Sequence, residues 1–247
     1  MPMFAIARSE MRAPDWGPYY VETPEDLTSF RGIAEPWNAV SAALFVLIVI
    51  FWVVRIWGRF RQFPFLTVCM PILLVGGIGG TIYHGTRSHY AYFLMDVVPI
   101  NLLGLAVSIF MWVKLAPRWY HLLGMIAVVF FMQMLGHWQL PRPWAINLSY
   151  ALLALAILIP ILLTLIKTSF FGWRWIVSAL AAFVIGWFAR IADYAEPPPL
   201  PMGTHWVWHT FGAITTMFIA QYLYQVEGRA AKNMKKISEA ESAVISA

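Results

Sequence analysis

GTHWVWHTFGAITTMFIAQYLYQ, residues 203–225, leads two histidines straight into an apolar run that contains no lysine. A helix crossing a hydrocarbon core of about 30 Å needs about 20 residues, and 205–225 has that length. His205 and His209 stand four positions apart, so on a helix they share one face. The stretch therefore predicts a membrane span that begins with a pair of imidazoles in its first two turns.

The rest of the chain repeats the apolar pattern. Of its 247 residues, 60% are hydrophobic and 12% charged, where soluble domains carry roughly 25% charged side chains, and the mean hydropathy is +0.67. Six further runs long enough to span lie at 38–57, 65–84, 92–113, 120–137, 146–166 and 174–192. The expected fold is an all-α membrane protein, a seven-transmembrane helix bundle with short connections. Residues 1–36 form a polar N-terminal segment, 37–225 the bundle, and 226–247 a charged tail expected to fray. No signal sequence precedes the bundle, so the first span would also direct insertion. Cys69 is the one cysteine; it excludes an intrachain disulfide and a cysteine-based metal cluster, and reads as a small core residue.

The net charge of +5 follows the membrane and is not a nucleic-acid signal. With the tail inside, eleven basic residues fall on the inner side (Arg55, Arg59, Arg61, Lys114, Arg118, Lys167, Arg174, Arg229, Lys232, Lys235, Lys236). Six fall outside (Arg8, Arg12, Arg31, Arg87, Arg142, Arg190). The excess predicts the N-terminus out and the C-terminus in.

The twelve carboxylates are placed unevenly. Glu10, Asp15, Glu22, Glu25, Asp26 and Glu35 precede the first span, three lie in the tail, and Asp193 and Glu196 border the last outer loop. Asp96, in FLMDVVPINLLGL, lies within a span, where a charge costs about 2.5–3.5 kcal/mol on insertion scales. Either it caps its helix at the interface or it serves chemistry. His84 ends the second span, Asp96 opens the third, and His205 and His209 open the seventh, so all four share one depth beneath the outer surface. Three imidazoles and a nearby carboxylate suit a catalytic zinc site, which takes three protein ligands, keeps one open position and needs an acid/base for protons. A lone histidine near a membrane interface is more often a polar anchor, and Trp206 stands where an HExxH motif would have its glutamate. His89 and His121 read as solvated, and His137 as a neighbour at most.

Several patterns have structural explanations. The thirteen tryptophans gather near span ends, as interfacial belts do. Gly76 and Gly80 give a GxxxG spacing for close helix approach, and PPPLP at 197–201 stops span six before Thr204 caps span seven. A retinal protein is excluded because 205–225 has no lysine for a Schiff base, and two histidines on one helical face fit a haem carrier poorly.

The stretches AEPWNAVSAALF (34–45), GIGGTIYHGT (77–86), MDVVPI (95–100) and THWVWH (204–209) resemble the alkaline ceramidase family, including its bacterial members, within a superfamily of seven-helix metal-dependent hydrolases. That resemblance implies zinc on His84, His205 and His209, with Asp96 as the carboxylate beside the metal. It also implies a calcium site in the N-terminal segment, with Asp15, the Trp16 carbonyl, Glu22 and Glu35 as ligands; a merely solvated acidic loop is the alternative. The expected activity is hydrolysis of the amide of ceramide or a related N-acylated lipid in a bacterial inner membrane, near the periplasmic side. The family places a serine, held to support the substrate oxyanion, where this chain has Gly80. Thr81 is the adjacent substitute, though one helical residue turns a side chain by about 100°. A non-enzymatic metal-containing lipid receptor or lipid-binding protein is therefore the second expectation.

Overall fold

The computed structural model describes residues 13, 15–27, 29–115 and 118–245. Arg8, Glu10 and Arg12 lie outside them, as do the side chains of His121, Lys235 and Lys236. Seven α-helices and no strand occur among the described residues: α1 Pro36–Arg55, α2 Pro64–Thr86, α3 Tyr90–Leu115, α4 Trp119–Gln139, α5 Arg142–Lys167, α6 Trp173–Ala192 and α7 His205–Ile245. Five are long and apolar enough to cross a membrane: α1, α2, α3, α6, and α5 from Trp144 to Lys167. Large apolar side chains such as Val40, Val54, Phe130, Ile166 and Phe188 point outward. Apolar exposure on that scale marks a lipid-facing surface, and the chain is a multi-pass membrane protein.

Proline and carboxylates set the helix starts. α1, α2 and α5 each carry proline in the first turn, where its missing N–H costs nothing; α5 accordingly starts four residues before the expected 146. Three carboxylates from elsewhere in the chain accept the orphan amides at helix N-termini. Glu22 receives Trp37 and Asn38 at 2.7 and 3.0 Å on α1, and Glu227 receives Phe65 and Leu66 at 2.8 and 3.2 Å on α2. Asp193 receives Thr204 and His205 at 2.6 and 3.0 Å at α7.

Two expectations are corrected here. Thr204 does not cap α7, because its hydroxyl donates to Ala189 O at 2.6 Å and Asp193 does the capping. Nor does the chain fray after 225: α7 continues to Ile245, anchored by the buried Glu227 against the start of α2.

Helix contacts run in the order α6, α7, α1, α2, α3, α5, α4, and α5 and α6 share no extensive contact. Small residues on α2 permit the closest approaches. A Cβ on Gly77 would meet Val46 at 2.9 Å on α1, and one on Gly79 would meet Met95 at 2.3 Å on α3. Gly76 faces Pro99 in the same way, so a glycine stripe lets α1 and α3 both lie against α2. The apolar core, built on Trp52, Ile56, Phe63, Leu66, Met111 and Tyr222, fills one half of the bundle. Cys69 belongs to it, as expected. The opposite half holds the three histidines with Asp15, Glu35, Arg87 and Arg190 buried around them.

Candidate metal centre

His84 in the last turn of α2 and His205 and His209 at the start of α7 come together, and one ligand nitrogen from each lies within 4.8 Å of the others. Among the described residues this is the group of three or more His, Cys, Asp or Glu side chains that converges in this way. All three rings are buried. They pack ring to ring, with His84 4.7 Å from His209 and His205 4.6 Å from His209 between centroids.

Hydrogen bonds set two of the tautomers. Glu35 Oε2 lies 2.5 Å from His84 Nδ1; a carboxylate only accepts, so Nδ1 carries the proton and the Nε2 lone pair is free. His209 Nδ1 lies 3.1 Å from Asn38 O, a carbonyl that also only accepts, with Ser41 Oγ at 3.2 Å. Its Nε2 is therefore free as well. His205 is held flat against Tyr20, ring centroids 3.8 Å apart. His84 Nε2 and His205 Nδ1 are buried and have no hydrogen-bond partner among the described residues. His84 combines an orphaned buried nitrogen with a carboxylate that fixes its ring, His209 is fixed by a carbonyl, and His205 offers an orphaned nitrogen on a ring held by stacking. Such nitrogens and supporting partners are what metal-ligating histidines require. Zn–N bonds of about 2.0–2.1 Å ask for a modest closing of the three rings, and the donor set fits zinc.

Asp96 sits in the second turn of α3 with Oδ2 3.8 Å from His84 Nε2. The space it uses is the one left by Gly80, where an added Cβ would lie 2.5 Å from Asp96 Oδ1. Glycine at 80 thus makes room for the carboxylate. The Thr81 assignment is corrected: its hydroxyl donates to Gly77 O at 2.7 Å, one turn back along α2, and it does not line the cavity beside Asp96.

The N-terminal segment departs from the calcium expectation. Between Asp15 and Glu35 lies the guanidinium of Arg87, whose Nε and Nη2 donate to Asp15 at 2.7 and 3.0 Å. Its Nη1 donates to Glu35 Oε1 and to Thr23 Oγ1, and its Nη2 also reaches Pro18 O. The Trp16 carbonyl accepts from Arg142 Nη2 at 3.0 Å, and Glu22 faces the start of α1. Calcium binds six to eight oxygens; these oxygens already hold arginines and helix amides, so the four residues do not fit a calcium cage. Burial pushes the Glu35 carboxyl up, but His84, Arg87 and Thr23 hold it down at about 2. Glu35 therefore links the N-terminal segment to a metal-ligand candidate through its two oxygens.

A cavity of about 330 Å³ starts at Asp96, His205 and His209 and runs between α3, α5, α6 and α7 toward Leu66, Ile161 and Leu223. Its walls are mostly apolar beyond the histidines. His137 and His89 are exposed and away from it. Arg87 and Arg190, two of the six outer basic residues expected from the sequence, are buried against the centre. The usable signals were the position of Arg87 three residues after His84, and that of Arg190 inside a predicted span, where a cation is as costly as Asp96. No family model matches the chain, and no curated protein matches it.

Proposed function

We propose that this chain is a zinc-dependent intramembrane hydrolase that cleaves the amide of ceramide or a related N-acylated lipid. In this reading all seven helices span, the N-terminal segment is outside, and the end of α7 is inside a bacterial inner membrane, with the site toward the periplasm. The supporting observation is the convergence of three buried imidazoles and Asp96 at the polar end of a long apolar cavity.

His84, His205 and His209 would hold the metal, and Glu35 and the Asn38 carbonyl keep two of the rings in the ligating tautomer. Zinc, when bound, supplies Lewis acidity toward the substrate carbonyl. Asp96 takes a proton from the attacking water and returns it to the amine nitrogen as the C–N bond breaks, leaving a fatty acid and a free amine. The apolar cavity receives the acyl chain and keeps bulk water from the amide. Such a substrate would enter from the bilayer between α5 and α6, which share no extensive contact.

A non-enzymatic lipid receptor has one observation in its favour. Gly80 offers no side-chain donor beside Asp96, and losing one oxyanion donor costs about 10²–10³ in rate. Hydrolysis of labelled ceramide and other N-acyl lipids by the purified zinc-loaded protein separates the two. Cleavage that falls by about 10²–10⁴ in Asp96→Ala supports the hydrolase; an inert wild-type protein that still retains lipid supports the receptor.

A further inference from the structure

Arg190, in the last turn of α6, is a buried cation facing the cavity. It is 4% exposed, and its Nε and Nη1 have no hydrogen-bond partner among the described residues. It lines the cavity together with Asp96, His205 and His209. What surrounds the guanidinium is aromatic: Tyr150 at 5.2 Å and Trp208 at 6.0 Å from ring centre to Cζ. Ring faces attract a cation but accept no conventional N–H bond.

The buried carboxylates near this end of the bundle make no hydrogen bond to Arg190 Nε or Nη1, and Asp193 and Asp96 act on it only through space. Asp193, three residues along the chain, accepts the amides of Val21, Thr204 and His205. Asp15 and Glu35 close on Arg87, and Asp96 is turned to His84. A buried guanidinium without a hydrogen-bonded counter-charge is strongly unfavourable. A neutral hydroxyl or amide oxygen would satisfy one N–H and leave the charge; an anionic oxygen satisfies both.

We propose that Arg190 is an anion-recognition site, and that the acyl lipid taken into this cavity carries a carboxylate or similar anionic oxygen group at its polar end. With the acyl chain along the apolar length, that group sits beside the histidines, within the space that Arg190, Tyr150 and Trp208 enclose. The substrate class then narrows to acidic N-acylated lipids and away from ceramide, whose polar end carries no anionic group, a refinement that rests on the hydrolase reading only for the amide bond itself.

Binding to zinc-free protein in detergent tests this without turnover. The probes are N-palmitoylglycine and N-palmitoylethanolamine, which share the acyl chain and amide but differ in charge. The glycine conjugate is expected to bind about tenfold to a hundredfold more tightly. Arg190→Gln brings the two affinities together, and Arg190→Lys, which keeps the charge but loses the planar donors, retains part of the preference. Retained N-palmitoylethanolamine binding reports that a variant's cavity is intact; if Arg190→Gln fails to fold, the wild-type preference and its reduction in Arg190→Lys decide. Equal wild-type affinities, or a preference unchanged in both variants, would overturn the assignment. Zinc-loaded protein that cleaves neither amide while the preference stands removes the hydrolase reading and leaves Arg190; equal binding with efficient cleavage of both does the reverse.

Discussion

Replacing Glu35 by glutamine alters one atom and sets two demands against each other. Glu35 Oε2 now accepts from His84 Nδ1 at 2.5 Å and from Asn38 Nδ2 at 3.1 Å, while Oε1 accepts from Arg87 and from Thr23 at 2.5 Å. A glutamine amide has one accepting and one donating end. If its NH₂ faces Arg87, a cation meets donors and loses its counter-charge. If it faces His84, the ring must move its proton to Nε2, and the nitrogen that would bind metal is lost. Removing such an outer-shell partner typically costs 10–100-fold in metal affinity, which is about 1.4–2.7 kcal/mol. Competition of purified wild type and Glu35→Gln against a zinc chelator of known strength measures it. Tightness lost within that range is expected; zinc affinity unchanged in a folded Glu35→Gln protein would refute the link between Glu35 and His84.

Further outcomes follow from neighbouring contacts. Gly80→Ser puts a Cβ where Asp96 Oδ1 lies 2.5 Å away, so it displaces the carboxylate; amide hydrolysis is expected to fall by about 10² or more with zinc content retained, and a gain in rate would show that the serine supplies a missing donor. Because Arg87 sits between Asp15 and Glu35, calcium chelation should leave the melting temperature and lipid hydrolysis unchanged, whereas Arg87→Met should cost about 3–5 kcal/mol, as loss of one partner from a buried ion pair does. Calcium that raised the melting temperature of the wild-type protein would contradict the arginine-for-calcium assignment.

Much of the fold was legible because a span announces itself by length and composition alone. The runs at 38–57, 65–84 and 174–192 became α1, α2 and α6 within two residues at each end. The continuation of α7 was hidden because charged residues after 225 resemble a solvated tail, and only the contact of Glu227 with the α2 amides shows why the helix persists. The histidine cluster could be placed from the expected alternation of seven spans, which sets the end of α2 and the starts of α3 and α7 at one level. Side-chain pairing could not. Asp15 and Glu35 invite a cation in any sequence reading, and nothing in their spacing distinguishes a bound ion from an arginine 52 residues beyond Glu35. Thr81 failed for a rotational reason, since its hydroxyl lies where it bonds its own helix.

Metal analysis of the purified protein bears most directly on the centre formed by His84, His205 and His209. Mass spectrometry of wild type and of His209→Ala, each confirmed as folded, should find about one zinc per chain in the first and lose most of it in the second. Wild-type protein that takes up no zinc, or a variant that holds as much as the wild type, would contradict a metal centre at these three rings.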